Sequence, residues 1–64
     1  MNRLEKVVGK FVYEVWNHNN VWNLCLVNTY ANEDDTYFIA EFDTFEKAEI
    51  AFNKMVAVHE EILK

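Results

Sequence analysis

The hydrophobic pattern of this chain changes its period once, near residue 43. Between residues 11 and 42, apolar residues alternate with other residues over short runs, a pattern typical of β-strands. From Phe45 onward, apolar residues recur at intervals of three and four, a pattern typical of an amphipathic helix. At 64 residues the chain has room for one domain. The sequence therefore predicts a single small domain, residues 1–64, in which strands precede one helix.

Three runs have the composition of strands, at residues 10–16, 21–30 and 36–42. The asparagine-rich segment 17–20 predicts a hairpin loop, because asparagine tolerates left-handed backbone angles. The acidic segment 31–35 predicts a second, solvated turn. The sequence does not decide the secondary structure of residues 1–9. Within this segment, residues 3–8 could form a helical turn, or could extend the first strand across Gly9 as a bulge.

The expected fold is α+β, with two layers: a three-stranded antiparallel meander (β-β-β) and one C-terminal helix packed on one face of it. Either Asp43 or Thr44 could cap the helix, and Asp43 would place Glu46 where it completes a capping box. The helix face expected to be buried comprises Phe45, Ala48, Ala51, Phe52, Met55, Val56, His59, Ile62 and Leu63. The sheet residues expected to face it are Phe11, Tyr13, Val15, Trp22, Leu24, Leu26, Phe38, Ala40 and Phe42.

The other face of the sheet is also expected to be largely apolar, interrupted only by Glu14, Asn23 and Glu41. An exposed apolar patch usually marks a contact surface. A core this small seldom supplies more than about 3–5 kcal/mol without a disulfide, metal or partner chain, and the single Cys25 cannot form an internal disulfide. We therefore expect a protein partner, with a homodimer favoured. The interface residues expected on this face are Val12, Trp16, Val27, Tyr37 and Ile39.

The charge distribution is one-sided, because residues 11–46 contain seven acids and no Lys or Arg. With a net charge of −5 as well, the strands offer no cation to a phosphate backbone, so direct nucleic-acid binding is not expected. The same acids suggest an alternative function, in which the protein mimics a nucleic acid and blocks a DNA- or RNA-binding protein, as small phage-type inhibitors do. The candidate residues for such mimicry are Glu33, Asp34, Asp35, Glu41, Asp43, Glu46 and Glu49.

No motif for catalysis, cofactor binding or metal binding is present, so neither an enzyme nor a cofactor is expected. The chain has no Ser and one Gly, which excludes a serine nucleophile and a phosphate-binding loop. No sequence signature gives Cys25 a base and an orienting group, so it is interpreted as a small apolar residue. His59 is interpreted as a packed histidine bonded to a carbonyl or water, and His18 as a solvated loop residue.

The order of three strands followed by a joint containing Phe42, Thr44 and Ala48 resembles the arm-type DNA-binding domains of tyrosine recombinases. Those domains need basic strands, which this chain lacks, so no functional residue follows from the resemblance. The N-terminal residues lack the apolar core of a signal peptide, and no stretch approaches the roughly 20 apolar residues of a membrane span. With one cysteine, the chain is expected to be cytoplasmic.

The leading hypothesis from sequence is a non-enzymatic protein-interaction module: a small homodimer, inhibitor or adaptor that uses the outer face of its sheet. The acidic nucleic-acid mimic is the alternative. A small enzyme is the third and least favoured hypothesis, because no convergent catalytic motif supports it.

Overall fold

A computed structural model of the protein describes residues 3–29 and 35–64. The fold is α+β as predicted, with an antiparallel sheet that carries a C-terminal helix on one face. The sheet has four strands, however, and not three. The elements are β1 (Leu4–Val8), β2 (Phe11–His18), β3 (Val21–Asn28), β4 (Asp35–Phe42) and α1 (Phe45–Ile62), with the strands in the order β1-β2-β3-β4.

The additional strand is β1, so neither alternative for residues 3–8 is correct. Val8 pairs with Phe11 across a turn of two residues, and the first of them, Gly9, has a φ of 61°. That left-handed backbone angle favours glycine. A Cβ atom at Gly9 would also lie 3.1 Å from the side chain of Leu63, which follows α1. Gly9 therefore reverses the chain where the end of the helix comes close to it.

The β2–β3 hairpin is tighter than predicted. Asn17 and His18 belong to β2, and the turn consists of Asn19 and Asn20 alone. Their φ angles are 56° and 62°, as required at both central positions of a type I′ turn. Because asparagine adopts this conformation at low cost, the pair fixes the register in which His18 lies opposite Val21.

A β-bulge interrupts the alternation of β4. Ala40 pairs with Leu24, but the next residue of β3, Cys25, pairs with Phe38, so Ile39 is the extra residue. Ile39 packs against the core. Phe38 is instead largely exposed, on the face of the sheet away from the helix.

The bulge overturns part of the predicted orientation of β4. The sequence placed Phe38 towards the helix and Tyr37 and Ile39 away from it, and all three assignments are wrong. Tyr37 lies opposite Leu26, which packs against the core, so Tyr37 is on the helix side of the sheet. Strict alternation assumes a regular strand, and one inserted residue reverses the faces beyond it.

The core lies between the sheet and α1. Its buried cluster contains Val8, Tyr13, Val15, Leu24, Ala48, Phe52 and Val56. The predicted orientation of α1 is confirmed by Ala48, Phe52 and Val56, which are its buried residues. Ile62 and Leu63 were predicted on the buried face but are exposed. They lie at the end of α1, beyond the last buried position, Val56.

Thr44 is the N-cap of α1, and its hydroxyl accepts a hydrogen bond from the Lys47 N–H at 3.2 Å. Of the two caps that the sequence allowed, the helix uses Thr44 and not Asp43. The residue three positions after Thr44 is Lys47, so the capping box that Asp43 would complete with Glu46 is not the one used. The Lys47 ammonium lies 2.9 Å from the Asp43 carboxylate. The hydrogen bond from the Lys47 ammonium to the Asp43 carboxylate, together with the positive charge of Lys47, lowers the pKa of Asp43.

Candidate functional site

The candidate site is the face of the sheet opposite α1, here called the outer face. Residues directly opposite each other in an antiparallel ladder share a face, so the strand pairing defines its members. They are Arg3, Glu5 and Val7 at β1, Val12, Glu14, Trp16 and His18 on β2, Val21, Asn23, Cys25 and Val27 on β3, and Thr36, Phe38 and Glu41 on β4. The outer face therefore draws residues from every strand.

An apolar patch crosses the outer face from one edge strand to the other. Val7 on β1 is 63% exposed and Phe38 on β4 is 60% exposed. Between them lie Val12, Val27 and Trp16, all partly buried. Large apolar side chains exposed together in this way usually mark a contact surface.

Cys25 lies in the middle of the outer face, yet it is only 2% exposed. Burial raises the pKa of its thiol, the charge of Glu14 raises it further, and a hydrogen bond with the Trp16 side chain opposes both effects. A thiol held in its neutral form is a poor nucleophile. Cys25 therefore serves as a small packing residue beneath the patch, as the sequence predicted.

The charges of the outer face are unevenly placed. Glu5 and Glu14 lie directly opposite each other, an unfavourable pairing of like charges. The Arg3 guanidinium lies 3.5 Å from Glu5 and 3.3 Å from Glu14 and offsets that repulsion. Glu41 is exposed opposite Asn23, at the edge formed by β4. Of the residues that define the outer face, only Arg3 is a Lys or Arg.

The predicted interface residues are only partly brought together. Val12, Trp16 and Val27 lie on the outer face. Ile39, which packs against the core, and Tyr37 both belong to the helix side of the sheet. The structure adds Val7 and Phe38, which the sequence analysis missed. Val7 could have been found from the two-residue turn at residues 9–10, which pairs residues 4–8 with β2. No residue type marks the bulge that exposes Phe38.

The acidic candidates do not form one cluster among the described residues. Glu33 and Asp34 lie outside the residues that the structure describes. Asp35 begins β4, Glu41 is near the end of that strand, and Asp43 is paired with Lys47. Glu46 and Glu49 are on the first two turns of α1. Nucleic-acid mimicry by these residues stays a prediction.

On the helix side, His59 packs against the sheet as predicted, and a side-chain hydroxyl lies at hydrogen-bond distance from its ring, a partner that the sequence analysis did not name. Its Nδ1 lies 2.9 Å from the hydroxyl oxygen of buried Tyr13, and its ring is 5.4 Å from that of Phe11. Burial raises the pKa of the Tyr13 hydroxyl. A groove of about 430 Å³ adjoins the pair, lined by Tyr13, Lys54, Met55, Val58, His59 and Ile62. The contact between Tyr13 and His59 joins α1 to β2.

His18 is exposed at the end of β2, with its ring 5.8 Å from that of Trp16. Among residues 3–29 and 35–64, no group of three or more His, Cys, Asp or Glu side chains is placed to hold a metal ion. The described part of the chain also contains no helix that combines the length and apolar character needed to cross a membrane.

No family model, curated protein or solved structure matches this chain. The interpretation of function therefore depends on the geometry of the outer face.

Proposed function

We propose that this protein is a non-enzymatic protein-interaction module that forms a homodimer through the outer face of its sheet. The observation that carries this proposal is the apolar patch that runs from Val7 on one edge strand to Phe38 on the other. Removing apolar surface from water contributes about 25 cal/mol per Å². A partner that covers both edge residues and the side chains between them therefore gains most from this face.

A second copy of the chain is a suitable partner because the core of the domain occupies only the helix side of the sheet. α1 covers one face of the sheet, and the outer face has no covering element among the described residues. Two such faces can pack as a sandwich, with the sheets about 10 Å apart and the strands within about 30° of alignment. The apolar side chains of both copies would then form a second core layer. Dimerisation would stabilise a fold that is otherwise marginal.

Sedimentation equilibrium tests the proposal. The protomer mass is 7.6 kDa, and the expected mass rises towards twice that value as the protein concentration increases through the micromolar range. The midpoint of thermal unfolding is expected to rise over the same range, because dissociation is coupled to unfolding by mass action. A protomer mass maintained up to millimolar protein, with an unfolding midpoint independent of concentration, would refute self-association and favour a heterologous partner.

A further inference from the structure

We propose that the groove beside α1 binds an unbranched fatty acid, with the carboxylate of the ligand beside Lys54 and its alkyl chain directed towards Ile62. The groove lies on the helix side of the sheet, where Tyr13 belongs to the core cluster. It is therefore separate from the outer face. The proposal goes beyond the homodimer and does not depend on it.

The groove is long and largely apolar. Buried Tyr13 and half-buried Met55 form part of its inner wall, and exposed Val58 and Ile62 lie at its rim. Lys54, Val58 and Ile62 follow one another at intervals of four residues, so this rim extends for about 12 Å along the helix axis. An extended alkyl chain fits a groove of this shape and polarity.

The polar groups on the inner wall already have a partner. The Tyr13 hydroxyl oxygen and the His59 Nδ1 lie 2.9 Å apart, at hydrogen-bond distance. A buried polar group is costly to cover only when it is left without a hydrogen-bond partner. An apolar chain can therefore lie across this pair without depriving the hydroxyl or Nδ1 of its hydrogen bond.

Lys54 supplies a positive charge that has no acidic neighbour on its own helix. Side chains three or four residues apart meet on a helix surface, and those around Lys54 are all apolar: Ile50, Ala51, Ala57 and Val58. The other two lysines of known pairing on or next to α1, Lys47 and Lys64, form ion pairs with Asp43 and Glu61. None of the ion pairs among the described residues includes Lys54. Its ammonium is therefore placed to attract an anion at the rim of an apolar groove.

The charges along the helix give the ligand a direction. An adjoining pocket shares Val58 and Ile62 with the groove and is also lined by Glu61. Glu61 follows Lys54 by seven residues, about 10 Å along the helix axis. A ligand carboxylate at the Ile62 end would approach this acid, whereas at the other end it meets the Lys54 ammonium. The carboxylate is therefore assigned to the Lys54 end.

A methyl NMR titration with octanoate tests the proposal, in dilute protein and at physiological salt. The Met55 and Val58 methyl signals are expected to shift and to saturate. Lys54→Gln is expected to weaken octanoate binding about threefold, the effect of an exposed ion pair, and to leave octan-1-ol binding unchanged because the alcohol is uncharged. Lys54→Glu is expected to weaken octanoate binding about tenfold, since repulsion replaces attraction.

Matched controls separate the site from general effects of charge and apolar contact. Lys64→Gln removes the same charge outside the groove lining and is expected to leave octanoate binding unchanged. Butanoate, which is four methylene groups shorter, is expected to bind the parent roughly tenfold more weakly or worse. Val7 on the outer face is about as exposed as Val58 and reports non-specific binding of the chain. Its response to octanoate is expected to be the same in the parent and in Lys54→Gln.

Three results would overturn the proposal. Met55 and Val58 methyl signals that do not shift to saturation would show that the groove is not a binding site. An equal effect of Lys54→Gln on octanoate and octan-1-ol, or of Lys54→Gln and Lys64→Gln on octanoate, would exclude recognition of the carboxylate by Lys54. Butanoate binding as tight as that of octanoate would exclude the alkyl chain from the groove. None of these results depends on whether the protein dimerises.

Discussion

Replacing Phe52 with alanine is expected to unfold most of the protein at room temperature. Phe52 is a buried member of the core cluster and projects from the middle of α1 towards the sheet. Such a large-to-small change in a core costs about 3–5 kcal/mol. This loss is comparable with the whole stability expected of a single small core. Circular dichroism during thermal or urea unfolding, at one fixed protein concentration, measures the effect.

Ile50→Ala provides the matched control for this experiment. Ile50 lies two residues earlier on the same helix but is 59% exposed, so its truncation is expected to change the unfolding free energy by no more than about 0.5 kcal/mol. If Phe52→Ala unfolded cooperatively within a few degrees of the parent protein, the assigned orientation of α1 would be incorrect.

Phe38→Asp is expected to abolish self-association while leaving the protomer folded. The exposed Phe38 ring forms the β4 side of the apolar patch. An aspartate there would place an unpaired charge in the interface and would add to the acidic residues already on the outer face. A rise of about a hundredfold in the dissociation constant is expected, as for a large aromatic side chain buried in an interface. Sedimentation equilibrium measures association, and circular dichroism verifies the fold.

Ile50→Asp is the corresponding control, because it introduces the same side chain at a position of almost equal exposure on α1. This variant is expected to dimerise like the parent. Association that survives Phe38→Asp would show that the outer face is not the contact. Association lost only in Ile50→Asp would identify the helix surface as the contact.

The sequence was sufficient to predict the two layers and the orientation of the helix. The change of period near residue 43 separates the sheet from α1, and the spacing of Ala48, Phe52 and Val56 identifies the buried face of the helix. These predictions succeeded because they depend on local periodicity, which a regular helix preserves. The asparagines of the β2–β3 turn allowed the hairpin to be predicted for the same reason, since their backbone preference is local.

The errors came from features that local periodicity does not determine. The bulge at Ile39 places that residue against the core and leaves Phe38 exposed, and only packing against the other strands distinguishes this arrangement from a regular strand. One extra residue was enough to move Tyr37 and Ile39 off the predicted interface. At the helix start, Asp43 and Thr44 are both good caps, so the sequence alone did not select Thr44.

Burial of the outer face in solution can be measured most directly by the relaxation of methyl groups in the presence of a soluble paramagnetic agent. Val7 on the outer face and Val58 on α1 form a matched pair, since they are 63% and 61% exposed in the single chain. In dilute protein, both valines are expected to relax at similar rates. At concentrations where dimers form, the Val7 methyl groups are expected to be protected and the Val58 methyl groups to remain accessible. Equal accessibility of both valines in the dimer, or protection of Val58 alone, would contradict the assignment of the outer face as the contact surface.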